Sequence, residues 1–142
     1  MTNWIYGTKI DQEGSDYRAT VRDLPEVLTF GATRAEALAN ALDAIDAVVA
    51  HRMEKSTELA LPSKVKRGEE PVELPLRTAA KAGLYRAWLA SGLSKREVAK
   101  RMKVGETEVR RILDPRHGTK IEAMDAAARV LGSKMKIEFE PA

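Results

Sequence analysis

One change of hydrophobic period, near residue 32, limits what this chain can fold into. Before it, Trp4, Tyr6, Thr8 and Ile10 alternate with Ile5, Gly7 and Lys9, the two-residue period of a strand. Gln12 to Asp16 is polar, carries Gly14, and reads as a hairpin turn. A second strand sets Tyr17, Ala19 and Val21 on one face and Arg18, Thr20 and Arg22 on the other. Asp23-Leu24-Pro25-Glu26 interrupts it, because proline cannot donate into a central ladder. Val27 to Phe30 then reads as a short third strand closed by Gly31. After the change the period is helical. Thr33-Arg34-Ala35-Glu36 has the form of a capping box. Leu38, Leu42, Ile45 and Val49 make an apolar stripe, padded by alanines that let a sheet come close. The helix is expected to reach about Met53, and Leu59-Ala60-Leu61 to return as a fourth strand. Residues 1–62 therefore read as a small β-β-β-α(-β) domain.

Residues 63–77 read as a linker, since Pro62 to Leu76 holds three prolines, a glycine and mixed charges. Within it Val72-Glu73-Leu74 alternates as a short strand would. Residues 78–142 turn helical. Leu84, Trp88 and Leu89 mark an apolar face with Tyr85 beside it, and Gly92 is placed to end the helix. Ser94-Lys95-Arg96-Glu97 is a second capping box, and Leu93 with Val98 form a hydrophobic staple. Val98, Ala99 and Met102 point inward, the chain bends at Lys103-Val104-Gly105, and a short helix from Glu106 turns Val109, Ile112 and Leu113 inward. Ala99 is small enough for two helices to cross, and Val104 is expected to plug the turn. This is the pattern of a helix-turn-helix; a plain helical hairpin is the other reading. Lys103 stands where the turn usually has glycine, at a cost of about 1 kcal/mol if its φ is positive. Thr119-Lys120-Ile121-Glu122 is a third capping box, opening a helix with Ile121, Met124, Ala128 and Leu131 inward and Gly132 at its end.

The tail alternates again: Met135, Ile137 and Phe139 against Lys134, Lys136, Glu138 and Glu140. A lone strand has an unpaired edge. Antiparallel pairing with a second copy about Ile137 sets Lys134 opposite Glu140 and Lys136 opposite Glu138. Met135, Ile137 and Phe139 are thus the candidate dimer residues. Pairing with the N-terminal sheet of the same chain is the alternative. The fold class expected is α+β: the N-terminal domain plus an all-α helix-turn-helix domain with a C-terminal strand.

The net charge of +3 conceals an asymmetry. Residues 1–62 hold 6 Lys+Arg against 10 Asp+Glu, whereas residues 63–142 hold 18 against 11. The excess gathers in residues 81–120, with 11 against 4. A basic half of this kind is the footprint of a nucleic-acid binder, because phosphate contacts supply most of the affinity. The second helix of such a motif enters the major groove, so the outward residues Glu106, Thr107, Glu108, Arg110 and Arg111 are candidates for base contact. Arg111 suits a guanine, Glu106 a cytosine amine and Thr107 a thymine methyl. Lys95 and Arg96 at a helix N-terminus, with Arg116 and Lys120, suit phosphate. His117 reads as a hydrogen-bonding loop residue and His51 as a helix-end residue.

Nothing in the sequence points to catalysis. Asp11, Asp16, Asp23 and Glu26 lie near turns, which collect carboxylates anyway. The lack of cysteine removes a disulfide scaffold, a thiolate zinc site and a cysteine nucleophile. No metal or cofactor is expected. The start at Met1-Thr2-Asn3-Trp4 does not read as a leader, and no apolar run is long enough for a membrane, so a cytoplasmic protein without a membrane partner is expected.

Taken in order, Tyr17-Arg18-Ala19-Thr20-Val21-Arg22-Asp23-Leu24-Pro25-Glu26-Val27, Thr29-Phe30-Gly31-Ala32-Thr33, Glu36-Ala37-Leu38 and Leu61-Pro62-Ser63 resemble the HicB family of antitoxins, and the C-terminal half resembles the helix-turn-helix tail of its DNA-binding branch. Glu26, where glycine is common, and Lys103 depart from the pattern. The resemblance implies that residues 1–62 have a degenerate ribonuclease-H-like fold without its activity. It implies that they bind and neutralise a small basic HicA-type toxin that cleaves mRNA. It implies that the C-terminal domain binds double-stranded operator DNA and represses the operon, as a homodimer or a tetramer. The toxin-contact residues are not legible. Two other readings stay open: a one-component regulator with a ligand-sensing N-terminal domain, and a nuclease using Asp11, Asp16 and Asp23.

Overall fold

The computed structural model describes residues 4–142; the reading of Met1 to Asn3 as no leader lies outside them. The chain divides into two compact units between Ala79 and Ala80. The fold is α+β, with a small antiparallel sheet and one long helix followed by four shorter helices.

In the first unit, β1 (Ile5–Glu13) and β2 (Asp16–Val21) form a hairpin. Gly14, at φ +64°, supplies the left-handed residue that a two-residue turn needs. Strand β3 (Leu24–Gly31) follows, and the sheet order is β3-β2-β1-β4. Pro25 lies inside β3 rather than ending a strand before it. This is tolerated because β3 is an edge, where a missing N–H costs no ladder bond. A register shift at Thr20/Val21 absorbs the break.

The fourth strand is not Leu59-Ala60-Leu61. Leu59 is buried, but that segment is irregular. The strand that pairs is β4 (Glu70–Glu73), antiparallel to β1 with Tyr6 opposite Val72. The stretch 63–77, expected as a linker, thus gives the sheet its second edge. Side chains tie it down further. The Arg22 guanidinium donates to both Glu69 carboxylate oxygens, to the Lys64 carbonyl and to Ser63 Oγ, and Asp23 accepts from the Ser63 N–H at 2.8 Å. Glu69 lies over Gly7, where a Cβ would come within 2.3 Å of its carboxylate.

Helix α1 (Arg34–Glu54) covers one sheet face. Thr33 Oγ1 accepts the Glu36 N–H at 3.1 Å; the reciprocal bond of a capping box is absent. The buried stripe is Ala37, Ala41, Ile45, Val49 and Met53, while Leu38 and Leu42 are only half-buried at its flank. The stripe is turned toward the alanines because the helix start lies against Gly31. A Cβ on Gly31 would sit 2.3 Å from the Ala37 nitrogen, so only small side chains fit at that level.

The second unit is built from α2 (Leu76–Ser91, which carries the boundary), α3 (Lys95–Met102), α4 (Glu106–Leu113) and α5 (Ile121–Val130). Its core joins Leu84, Val98, Ala99, Val109, Ile112, Leu113, Met124, Ala127, Ala128 and Leu131. Gly92 and Gly132 take positive φ at the ends of α2 and α5. The Ser94–Glu97 capping box is complete. Lys103 is left-handed, at φ 59°.

Several inward assignments are corrected. Leu89, Val104 and Ile121 are exposed. Val104 does not plug the turn, which Val98 and Val109 fill from the helices. The third capping box is not formed. Lys120 is the N-cap of α5 without a side-chain bond, and the Thr119 hydroxyl is engaged elsewhere. The C-terminal strand is not formed within the chain either. Residues 133–142 are irregular and do not join the sheet. Met135 packs on the core of the second unit, whereas Ile137 and Phe139 stand out, Phe139 at 95% exposure. The Met135 N–H donates to the Asp125 carboxylate at 3.5 Å, but without a neighbouring strand the segment has no ladder to join.

Candidate nucleic-acid interface

Helix α4 has a sharp polarity. Val109, Ile112 and Leu113 are buried. At 3.6 residues per turn the opposite pole is Thr107 and Arg111, both exposed. Glu106 and Arg110 flank it as an i,i+4 pair at 3.0 Å, and Glu108 approaches Arg111 at 3.8 Å. The five residues expected to face bases are therefore all accessible, and two of the acids hold the two arginines in defined directions.

The far end of α4 is fixed by a residue the sequence reading passed over. Lys81 on α2 is fully buried. Its Nζ donates to the carbonyls of Ile112 at 2.7 Å and Arg111 at 3.0 Å, and to Thr119 Oγ1 at 2.7 Å. The last carbonyls of a helix lack intrahelical partners and carry its negative dipole end, so a buried ammonium there serves both needs. The signal was present: Lys81, Leu84, Tyr85 and Trp88 stand at helical core spacing, with a lysine in an apolar series. Thr119 also meets His117 Nδ1 at 2.9 Å and the Arg111 carbonyl at 3.3 Å, so His117 is a loop hydrogen-bonder as expected.

At the start of α3, Arg96 is exposed, while the Lys95 ammonium lies 5.3 Å from the centre of the Trp88 ring. That cation–π contact holds Lys95 without removing its charge from the surface. Arg116 and Lys120 are exposed around the loop after α4. All nine candidate residues thus belong to the second unit and surround α3, α4 and their following loop. Divided at the unit boundary the asymmetry persists, slightly reduced: residues 1–79 hold 10 Lys+Arg against 13 Asp+Glu, and residues 80–142 hold 14 against 8.

In the first unit the carboxylates are dispersed and paired. Asp11 approaches Lys9 and Arg18 at 3.8 Å, Asp23 is bonded to Ser63 and Arg22, and Glu26 accepts a forked bond from Arg52 at 2.7 Å. The Arg52 and Arg22 guanidinium groups hold the Glu26 and Glu69 carboxyls below the usual range. Tyr6 is buried with its hydroxyl unbonded, and burial pushes its pKa up to about 12. Among the described residues no three His, Asp or Glu side chains gather as metal ligands, and no helix is long and apolar enough to cross a membrane.

The model of the HicB-like antitoxins of bacterial toxin–antitoxin systems matches residues 5–83. The chain belongs to this family. Among its HicB relatives, Antitoxin HicB 1 of Photorhabdus laumondii is 38% identical over 128 residues, which is 90% of this chain and 81% of that protein. Antitoxin HicB of Escherichia coli K12 is 34% identical over 121 residues, 85% of this chain and 88% of that one. Antitoxin HicB of Pseudomonas fluorescens is 30% identical over 138 residues, 96% and 94% of the two chains. The HicB-like match coincides with the first unit and the start of α2, and the HicB relatives extend across the second unit as well. Membership makes the chain the antitoxin, hence regulatory, member of a toxin–antitoxin pair.

Proposed function

We propose that this antitoxin binds and neutralises a HicA-type mRNA-cleaving toxin through its first unit and represses its own operon by binding operator DNA through its second. The observation that carries the reading is the split itself. The HicB-like match falls on the acidic unit, while the cationic excess falls on the other, around α3 and α4. An acidic surface suits a basic, RNA-binding partner and speeds its capture. In the second unit α3 and α4 act as a helix-turn-helix. Thr107 and Arg111 read bases from the outer pole of α4, with Glu106, Glu108 and Arg110 beside them. Lys95, Arg96, Arg116 and Lys120 hold phosphates. Two copies meet through Ile137 and Phe139 of the tail, with Met135 anchoring the tail to its own core, so that two α4 helices reach half-sites about one helical turn apart.

The test is binding of operator DNA by fluorescence anisotropy across a salt series. Arg111→Ala should cost about 1–3 kcal/mol and relax preference at one base pair, while Lys95→Ala should weaken all sequences alike and flatten the salt slope. Equal effects from both would defeat these roles. Co-purification of the neighbouring small basic gene product with the chain tests the other half, and its absence would return the protein to a one-component regulator.

A further inference from the structure

The chain has two phenylalanines, and neither is in a core. Phe139 is in the tail; Phe30 is in β3, 46% exposed, with Leu28 beside it at 60%. They are two residues apart in one strand and so share a face. Thr20 stands opposite Leu28, and Arg18 opposite Phe30. The helix-side residues of these strands, Ala19 and Val27, are buried. Leu28 and Phe30 therefore lie on the sheet face that α1 does not cover.

That face is half closed. Over β1 and β4 the segment from Ser63 to Glu69 folds across it, with the Glu69 carboxylate above Gly7 and the Arg22 bonds fixing it. Over β2 and β3, Leu28 and Phe30 stay exposed. At the rim toward the hairpin tip Asp11 and Glu13 are matched by Lys9 and Arg18, and Asp16 adds one further acid. The edge of β3 is itself guarded. Pro25 has no N–H to offer, and the Phe30 carbonyl accepts from Asn40 Nδ2 at 2.8 Å. A partner is thus held by side chains on the face and not by an added strand.

We infer that the uncovered half of the open sheet face, centred on Leu28 and Phe30, is the docking surface for the cationic toxin, a deepening that rests on the antitoxin reading above. Contiguous exposed apolar side chains mark interaction sites and phenylalanine is enriched at interface cores, while the net negative charge of the unit draws a basic partner. A second copy is a poorer occupant, because its own first unit brings the same net negative charge.

The test uses the full chain and the purified small basic protein encoded beside it. Leu28→Lys with Phe30→Lys should weaken that association at least about 30-fold, with DNA binding and thermal midpoint unchanged. Leu28→Ala with Phe30→Ala should weaken it less and guards against an effect of misfolding. If the wild-type chain does not bind that protein, the antitoxin reading fails first. If the wild type binds and the lysine variant binds equally well, the reading stands and this surface is overturned. A fall in the mass of the chain alone, with toxin binding unchanged, would overturn it in favour of a second copy.

Discussion

The two units spend their charges differently. In the first, arginines are consumed in holding the fold: Arg22 gathers Glu69, Ser63 and Lys64, Arg52 forks onto Glu26, and Arg34 meets Glu70 at 2.7 Å. In the second, Arg96, Lys100, Arg101, Lys103 and Lys120 have no carboxylate within 4 Å among the described residues, and the pairs on α4 are exposed neighbours of one helix. Exposed pairs contribute little to stability. Those five cations of the second unit are therefore available to a ligand, whereas in the first unit Lys9, Arg18, Arg22, Arg34 and Arg52 are already paired with carboxylates. Lys81, buried in the second unit, orders the helix that these cations surround.

If the units are as distinct as their charges, a lesion in one should leave the other intact. Gly31→Ala should have the largest effect, about 3 kcal/mol of destabilisation, because the Ala37 backbone cannot withdraw from the new Cβ. Hydrogen exchange should show protection lost in the strands and α1 and kept in α3 to α5; uniform loss would break the comparison. Lys81→Met should cost about 2 kcal/mol by removing the ammonium that the Ile112 carbonyl and Thr119 Oγ1 accept from. Its exchange signature should be the reverse, with α4 and its following loop affected first.

Two substitutions should stabilise, by about 1 kcal/mol each. Lys103→Gly relieves a left-handed residue in the second unit. Tyr6→Phe removes an unbonded buried hydroxyl in the first. Thermal unfolding checks both, and a lower midpoint for either would show an unseen partner. The smallest effect is acid sensitivity. Glu26 and Glu69 have depressed pKa values, so their stabilisation is present above the ordinary carboxylate range and is lost as pH falls through their folded values. Glu69→Gln should flatten the acid limb of a stability profile for the first unit.

The elements read most faithfully from sequence were those specified by neighbours in the chain. Ser94 and Glu97 are three residues apart and cap one another; Gly14, Gly92 and Gly132 occupy the left-handed positions their turns demand. The misread elements depend on distant partners. The more apolar Leu59-Ala60-Leu61 found no edge, while the short strand read at Val72-Glu73-Leu74 forms two residues earlier, as Glu70–Glu73, because β1 offered one. The stripe of α1 rotated toward its alanines because Gly31 admits the helix backbone closely. Thr119 left its expected cap because Lys81 reached it first.

By itself, then, the sequence determined the period of each segment, the ends of most helices and the separation of acidic from basic halves, since each is a property of residues within a few positions of one another. The tertiary structure alone decided which face of a period is buried, which segment completes the sheet and which of the charges remain free for a partner. Those outcomes are set by pairings between residues as far apart as Arg22 and Glu69 or Lys81 and Ile112. The free energy of such a pairing exists only once the chain has brought both partners out of water together.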